Sequence, residues 1–140
     1  MTSYFSSDFK LAVVGGGQLG KMLLYETRKF DIQTRVLDPS PEAPARLAAN
    51  YFEQGDLMDF DTVYNFGKEA DLITFEIEAV NVEALERLQA EGKSVFPAPE
   101  TLRKIQNKGD QKDFYSEKNI PTAPYTRFEN LEALKLSLTA

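Results

Sequence analysis

The chain has 140 residues, 42% of them hydrophobic and 27% charged, which suits one globular domain with enough length to close a core. Its formal net charge of −6 argues against a general nucleic-acid binder, because such proteins need a basic surface to displace counterions. Cysteine and histidine are both absent, so disulfides, thiol nucleophiles, zinc–thiolate clusters and Ser-His-Asp or Cys-His catalysis are excluded together.

The opening MTSYFSSDFK has no basic region followed by an apolar one. No stretch approaches the ~20 apolar residues of a membrane span. The expected location is the cytoplasm, with neither membrane nor nucleic acid among the partners. "FKLAVV" (Phe9 to Val14) is a short apolar, β-branched run that stops at the glycines of "GGGQLG", and Leu19, Met22, Leu23 and Phe30 follow at helical spacing. The order is strand, glycine turn, helix. "TRVLD" (Thr34 to Asp38) predicts a second strand, closed by "PSPEAPA", whose prolines forbid a continuing ladder. A helical turn is expected near Ala45 to Ala49.

"NYFEQG" predicts a short third strand, and Asp59 or Asp61 caps a helix carrying Phe60, Val63, Tyr64 and Phe66 before Gly67. "DLITF" (Asp71 to Phe75) reads as a buried strand. Asn81 is the N-cap of "VEALERLQAE", which stops at Gly92. "SVF" (Ser94 to Phe96) is a fifth strand. Strands alternating with helices imply an α/β fold, an open doubly wound parallel sheet over roughly the first hundred residues. Two mainly polar helices follow, about Glu100 to Asn107 and Gly109 to Asn119, then the proline-marked "IPTAPYTRF" and a last helix from about Asn130.

Three places carry chemistry. Gly15-x-Gly17-x-x-Gly20 opens a helix after a strand, and Asp38 ends the next strand at about the ~20-residue offset of a ribose-binding acid, as in a dinucleotide fingerprint. Glycines there let backbone N–H groups reach a ligand without interference from Cβ atoms. A small NAD(H)-binding module, a site for another phosphorylated metabolite, and a tight turn with no ligand all fit this pattern. Against NAD stand the stiff Pro-Ser-Pro after Asp38 and the Gln18-Leu19 pair at the turn.

Glu76 ends the "LITF" strand, at the end of a parallel sheet where ligands bind. Burying a carboxylate without a partner is costly, so Glu76 needs a donor, which ligand hydroxyls or amines supply; the alternative is that Glu76 and Glu78 favour the N-terminal dipole of the helix beginning near Asn81. Arg103, Lys104, Lys108 and Lys112 form a basic run, either a solvated helix face or, at Lys108 beside Gly109 and a helix break, a point charge aimed at a phosphate.

Taken together, "GGGQLGKML", "VLDPSPEAPA", "ITFEIEAVN", "VFPAPETLRKIQNKGDQKDF" and "IPTAPY" resemble the amino-terminal part of the N5-carboxyaminoimidazole ribonucleotide synthase family of ATP-grasp ligases, over Phe9 to Phe128. The resemblance implies a Rossmann-like pre-ATP-grasp domain over 1–107 and a helical connection opening an ATP-grasp region over 108–140. It implies that ATP and bicarbonate give carboxyphosphate, whose carbonyl carbon passes to the exocyclic amine of 5-aminoimidazole ribonucleotide, with magnesium bridging the nucleotide phosphates. By the same resemblance Gln18, Leu19 and Glu76 contact the ribonucleotide, Lys108 contacts ATP, and the longer parent enzyme is a homodimer in purine biosynthesis. Family members continue into a grasp domain that holds ATP and metal, so a fragment inactive by itself is expected. An ATP-grasp glycinamide ribonucleotide transformylase is a third reading; those enzymes typically carry glutamate where Gln18 stands.

Overall fold

The computed structural model describes residues 6–138, and the chain divides into two compact units, Met1–Arg103 and Lys104–Ala140. The first unit contains β1 (Lys10–Val14), β2 (Gln33–Asp38), β3 (Tyr51–Gln54), β4 (Leu72–Phe75) and β5 (Ser94–Val95). They form one sheet in the order β3-β2-β1-β4-β5, with every neighbouring pair parallel. In the central strand Leu11, Ala12, Val13 and Val14 are all buried, because each face of the sheet is covered.

On one face Ala12, Val14, Leu37 and Ile73 pack with Val63 and Phe66 of α2 (Phe60–Gly67) and Leu85 and Leu88 of α3 (Val82–Ala90). On the other, Leu11, Val13 and Val36 pack with Leu24 of α1 (Gln18–Thr27) and Ala45 of the proline-rich connection. Helices on both faces of a parallel sheet make the doubly wound arrangement that the alternating pattern predicts. The expected turn near Ala45 is present, closed by Ala48 and Ala49 N–H groups donating to the Ala45 carbonyl at 3.0 and 3.2 Å.

The polar signals lie where the backbone needs them. Asp59 accepts from the Thr62 N–H at 2.8 Å to start α2, and Asn81 accepts from the Ala84 N–H at 2.8 Å to start α3. Asn81 also donates through Nδ2 to the Met58 carbonyl at 2.9 Å, which ties the helix start to the preceding loop. Gly92 ends α3 with φ +88°, a conformation that suits a residue without Cβ.

Leu19, Met22 and Leu23 lie in α1, as their helical spacing predicts, with Phe30 just beyond it; all four are exposed, while Gly20, Leu24 and Thr27 are buried. The cause is the approach of the helix to the turn: a Cβ on Gly20 would lie 3.0 Å from the Gly15 carbonyl oxygen, so the glycine face goes inward and the longer side chains face out. On β2, the Arg35 guanidinium covers the margin of the core, 4.3 Å from the Tyr51 ring centroid and 5.4 Å from that of Phe66.

The boundary between the units falls within α4 (Pro99–Gln106), and the second unit continues with α5 (Lys108–Glu117) and α6 (Leu131–Leu138). The break predicted at Lys108-Gly109 lies one residue earlier, at Asn107. Its side chain accepts from the Gly109 and Asp110 N–H groups at 3.0 and 3.2 Å, which makes Lys108 the first residue of α5. The extended segment after α5 is tied back to it, with Tyr125 Oη donating to Asp113 at 2.7 Å and Arg127 paired with both Asp113 and Asp110. The Tyr125 hydroxyl first, and the Arg127 guanidinium second, hold the Asp113 carboxyl below the usual carboxylate range.

Replacing Asn81 with alanine removes a cap and the loop anchor, so a loss of about 1–2 kcal/mol in unfolding free energy is expected in urea denaturation. For the second unit the sign follows from the lowered carboxyl. Its contribution is complete above about pH 4 and is lost as the pH falls through the lowered value. The Tyr125 ring resonances should therefore move to their unanchored positions in acid, and should already occupy them at neutral pH in Asp113→Asn. A native Tyr125 spectrum in that variant would place the anchor elsewhere.

Candidate functional site

In a doubly wound sheet the ligand crevice lies at the carboxyl ends of the strands where the connections diverge. Here β1 leads to β2 on one side, and β4 flanks it on the other. Val14 is in register with Leu37 and with Phe75. The next residue on each of the three strands is therefore Asp38, Gly15 and Glu76, one row across the mouth of the crevice. Two carboxylates flank a glycine backbone as a direct consequence of strand register.

The main chain uses both. The Gly16 N–H donates to Asp38 Oδ2 at 2.7 Å, and the Gly17 N–H donates to Glu76 Oε1 at 2.7 Å. The second oxygen of Asp38 accepts from the Ser40 N–H at 2.8 Å. The Gly16 carbonyl accepts from the Ala45 N–H at 2.9 Å, so the proline-rich connection also closes on the turn. Gly15 has φ +99°, and a Cβ there would stand 2.9 Å from Glu76 Cγ. A Cβ on Gly17 would come within 2.5 Å of Glu76 Oε1. The glycines are required because carboxylate side chains occupy the space.

The donor for Glu76 is thus the start of α1, and not the helix that begins after Asn81. The capping alternative was right in kind and wrong in helix. Sequence spacing cannot show this, since Gly17 and Glu76 are 59 positions apart. Among the described residues nothing donates to Glu76 Oε2, and the side chain is only partly buried. Asp38, read from the sequence as a candidate ribose acceptor, has both oxygens engaged by main-chain N–H groups.

Gln18 and Leu19 are the first two residues of α1 and are exposed, Leu19 to 65%. The structure therefore brings Glu76 against the residue preceding Gln18, and joins three of the four sequence-derived site residues at one mouth. Lys108 is exposed in the first turn of α5, in the other compact unit. Glu78 is exposed beyond the end of β4. A separate concavity lined by Arg28, Asp31, Gln33 and Asn50 lies at the opposite, amino-terminal ends of β2 and β3, away from this row. Among the described residues no group of three or more acidic side chains could hold a metal ion, and no helix is long and apolar enough to cross a membrane.

The chain is similar to proteins whose names describe ribonucleotide chemistry. It is 34% identical over 130 residues to N5-carboxyaminoimidazole ribonucleotide synthase of Brucella melitensis, covering 93% of this chain and 36% of that one. It is 32% identical to formate-dependent phosphoribosylglycinamide formyltransferase of Methanococcus maripaludis, covering 96% and 35%. The crystal structure of carboxyaminoimidazole ribonucleotide synthase from Aspergillus clavatus complexed with ATP superimposes with a TM-score of 0.83 at 31% identity, covering 96% of this chain and 36% of that one. The chain thus spans about a third of the length of these relatives. The NAD module loses its support, since the relatives are ribonucleotide enzymes and the acid expected to meet a dinucleotide ribose is consumed by the turn. The model of the ribonucleotide synthetase preATP-grasp domain matches residues 9–106, the stretch that carries the sheet and the glycine–carboxylate row, and the chain belongs to that family.

Proposed function

We propose that this chain is the ribonucleotide-binding portion of an ATP-dependent ligase that carboxylates 5-aminoimidazole ribonucleotide with bicarbonate in purine biosynthesis. The observation that carries the reading is the Gly17–Glu76 hydrogen bond at the crevice, which fixes one carboxylate oxygen and leaves the other to accept from a hydroxyl or amine. Gln18 and Leu19 edge the same mouth and contact the ribonucleotide. Residues 1–107 form the ribonucleotide-binding domain, and 108–140 begin the ATP-grasp region. Lys108, a compact charge in the first turn of α5, contacts ATP, and an ammonium there suits a phosphate.

In such a reaction the protein supplies positioning and charge complementarity. A hydrogen bond to an ionised acceptor is stronger than one between neutral groups, so Glu76 orients the ligand by its donors. The described residues do not fit magnesium: they hold no acidic cluster of three, and three of the four carboxylate oxygens of Asp38 and Glu76 already accept from N–H groups. Magnesium and most of the nucleotide contacts then fall to a grasp domain of the kind that family members carry, and the homodimer of the longer enzyme uses either a face of this sheet or the domains this chain does not span. The formyltransferase similarity favours a second reading, with glycinamide ribonucleotide at the same mouth.

Titration of the chain with 5-aminoimidazole ribonucleotide, glycinamide ribonucleotide and NADH separates these readings. The first should shift the amide resonances of Gly17, Gln18 and Leu19 at millimolar concentration. Preferential binding of glycinamide ribonucleotide favours the second reading, and micromolar NADH binding without response to either ribonucleotide overturns both. Glu76→Gln keeps an acceptor for Gly17 but loses the charge, so ribonucleotide affinity should drop on the order of tenfold with the fold intact. Gly17→Val drives a side chain into the carboxylate; binding should be abolished and stability lowered by about 1–3 kcal/mol.

A further inference from the structure

A helix begins with N–H groups that have no partner in the helix, and in dinucleotide-binding turns these groups meet a pyrophosphate. At this turn two N–H groups, one just before the N-cap and one on the N-cap itself, already have carboxylate partners. Asp38 Oδ2 takes the Gly16 N–H and Glu76 Oε1 takes the Gly17 N–H, each at 2.7 Å. Asp38 cannot swing away without cost, because its other oxygen holds the Ser40 N–H at 2.8 Å. Crowding adds to the charge: a Cβ on Gly16 would lie 3.0 to 3.1 Å from Val36, Ala43 and Asp38 side-chain atoms. The positive end of α1 thereby has two carboxylates of the chain itself beside it.

We propose that Asp38 is a specificity-determining residue which, together with Glu76, closes the glycine turn to phosphate and pyrophosphate. An entering anion must displace the oxygens already hydrogen-bonded to the Gly16 and Gly17 N–H groups, or approach the first turn of α1 beside two like charges. A ligand therefore meets this mouth through hydrogen-bond donors, and a phosphorylated ligand keeps its phosphate away from the turn. Applied to a ribonucleotide, that orientation rests on the function proposed above; the exclusion of anions does not. The dinucleotide-like glycine spacing persists because it serves the packing of carboxylates on backbone, with the sign of the site reversed.

The test is a titration of the chain with sodium pyrophosphate at constant ionic strength, following the Gly16 and Gly17 amide resonances in the unsubstituted protein and in Asp38→Asn, Asp38→Ser and Glu76→Gln. The unsubstituted protein should show no saturable shift at these amides. Removing either charge should raise pyrophosphate affinity at the turn by about tenfold or more, the scale of one like-charge contact near a protein surface. Saturation in the unsubstituted protein with the affinity of the variants overturns the proposal, as does an absence of gain in variants that keep the amide dispersion of the parent. If Asp38→Asn does not fold, Asp38→Ser and Glu76→Gln give the same two outcomes. Because the probe is pyrophosphate, a failure of ribonucleotide binding leaves this result intact, and the reverse also holds.

Discussion

The register of β1 against β2 and β4 is the constraint on which the rest of the molecule depends. Val14 opposite both Leu37 and Phe75 places Asp38, Gly15 and Glu76 in one row at the carboxyl end of the sheet. Side chains alternate between faces along a strand, so a slip of one residue would turn Val13 and Val14 to the wrong cores and separate the two carboxylates from the glycine backbone. The same pairing that fills both hydrophobic faces thus assembles the crevice. Function here is inherited from core packing, and the buried positions of β1 specify the site as firmly as the polar residues in it.

The glycines follow from that row. With Glu76 folded over the turn, positions 15 and 17 have no room for a Cβ, and position 20 faces the Gly15 carbonyl. The close approach carries α1 onto the sheet with only Gly20, Leu24 and Thr27 buried. Leu19, Met22 and Leu23 are left outside as a result. The helix therefore contributes less apolar burial than its composition allows, and its start is held instead by two charge-assisted hydrogen bonds from distant strands.

What could be read from the sequence was whatever has a local cause. Asp59 and Asn81 cap helices, Gly92 stops one, and the apolar runs at Lys10–Val14 and Leu72–Phe75 are strands, because capping, left-handed backbone and burial each leave a signature within a few residues. Which face of α1 is buried is not legible in this way, because periodicity reports a helix and says nothing about a neighbour that blocks one side. Lys108 was placed at the break because Gly109 looked like the interruption, whereas the Asn107 side chain sets it by capping α5. The partner of Glu76 was hidden for a different reason. It is a backbone N–H, which every residue but proline carries, so no residue type marked it.

A dinucleotide fingerprint and the turn of this chain share a strand, a glycine turn and a helix start, and the shared geometry explains why spacing alone points to NAD. They differ in charge. A pyrophosphate site leaves its N–H groups vacant for an anion, whereas here two carboxylates of the same chain take the Gly16 and Gly17 N–H groups and Asp38 is withdrawn from any ribose. Glycine spacing is thus evidence of close backbone approach and is silent on what approaches. The identity of the occupant lies in the side chains that end the neighbouring strands, and for this fold those are the residues immediately after the positions of β2 and β4 that pair with Val14 of β1.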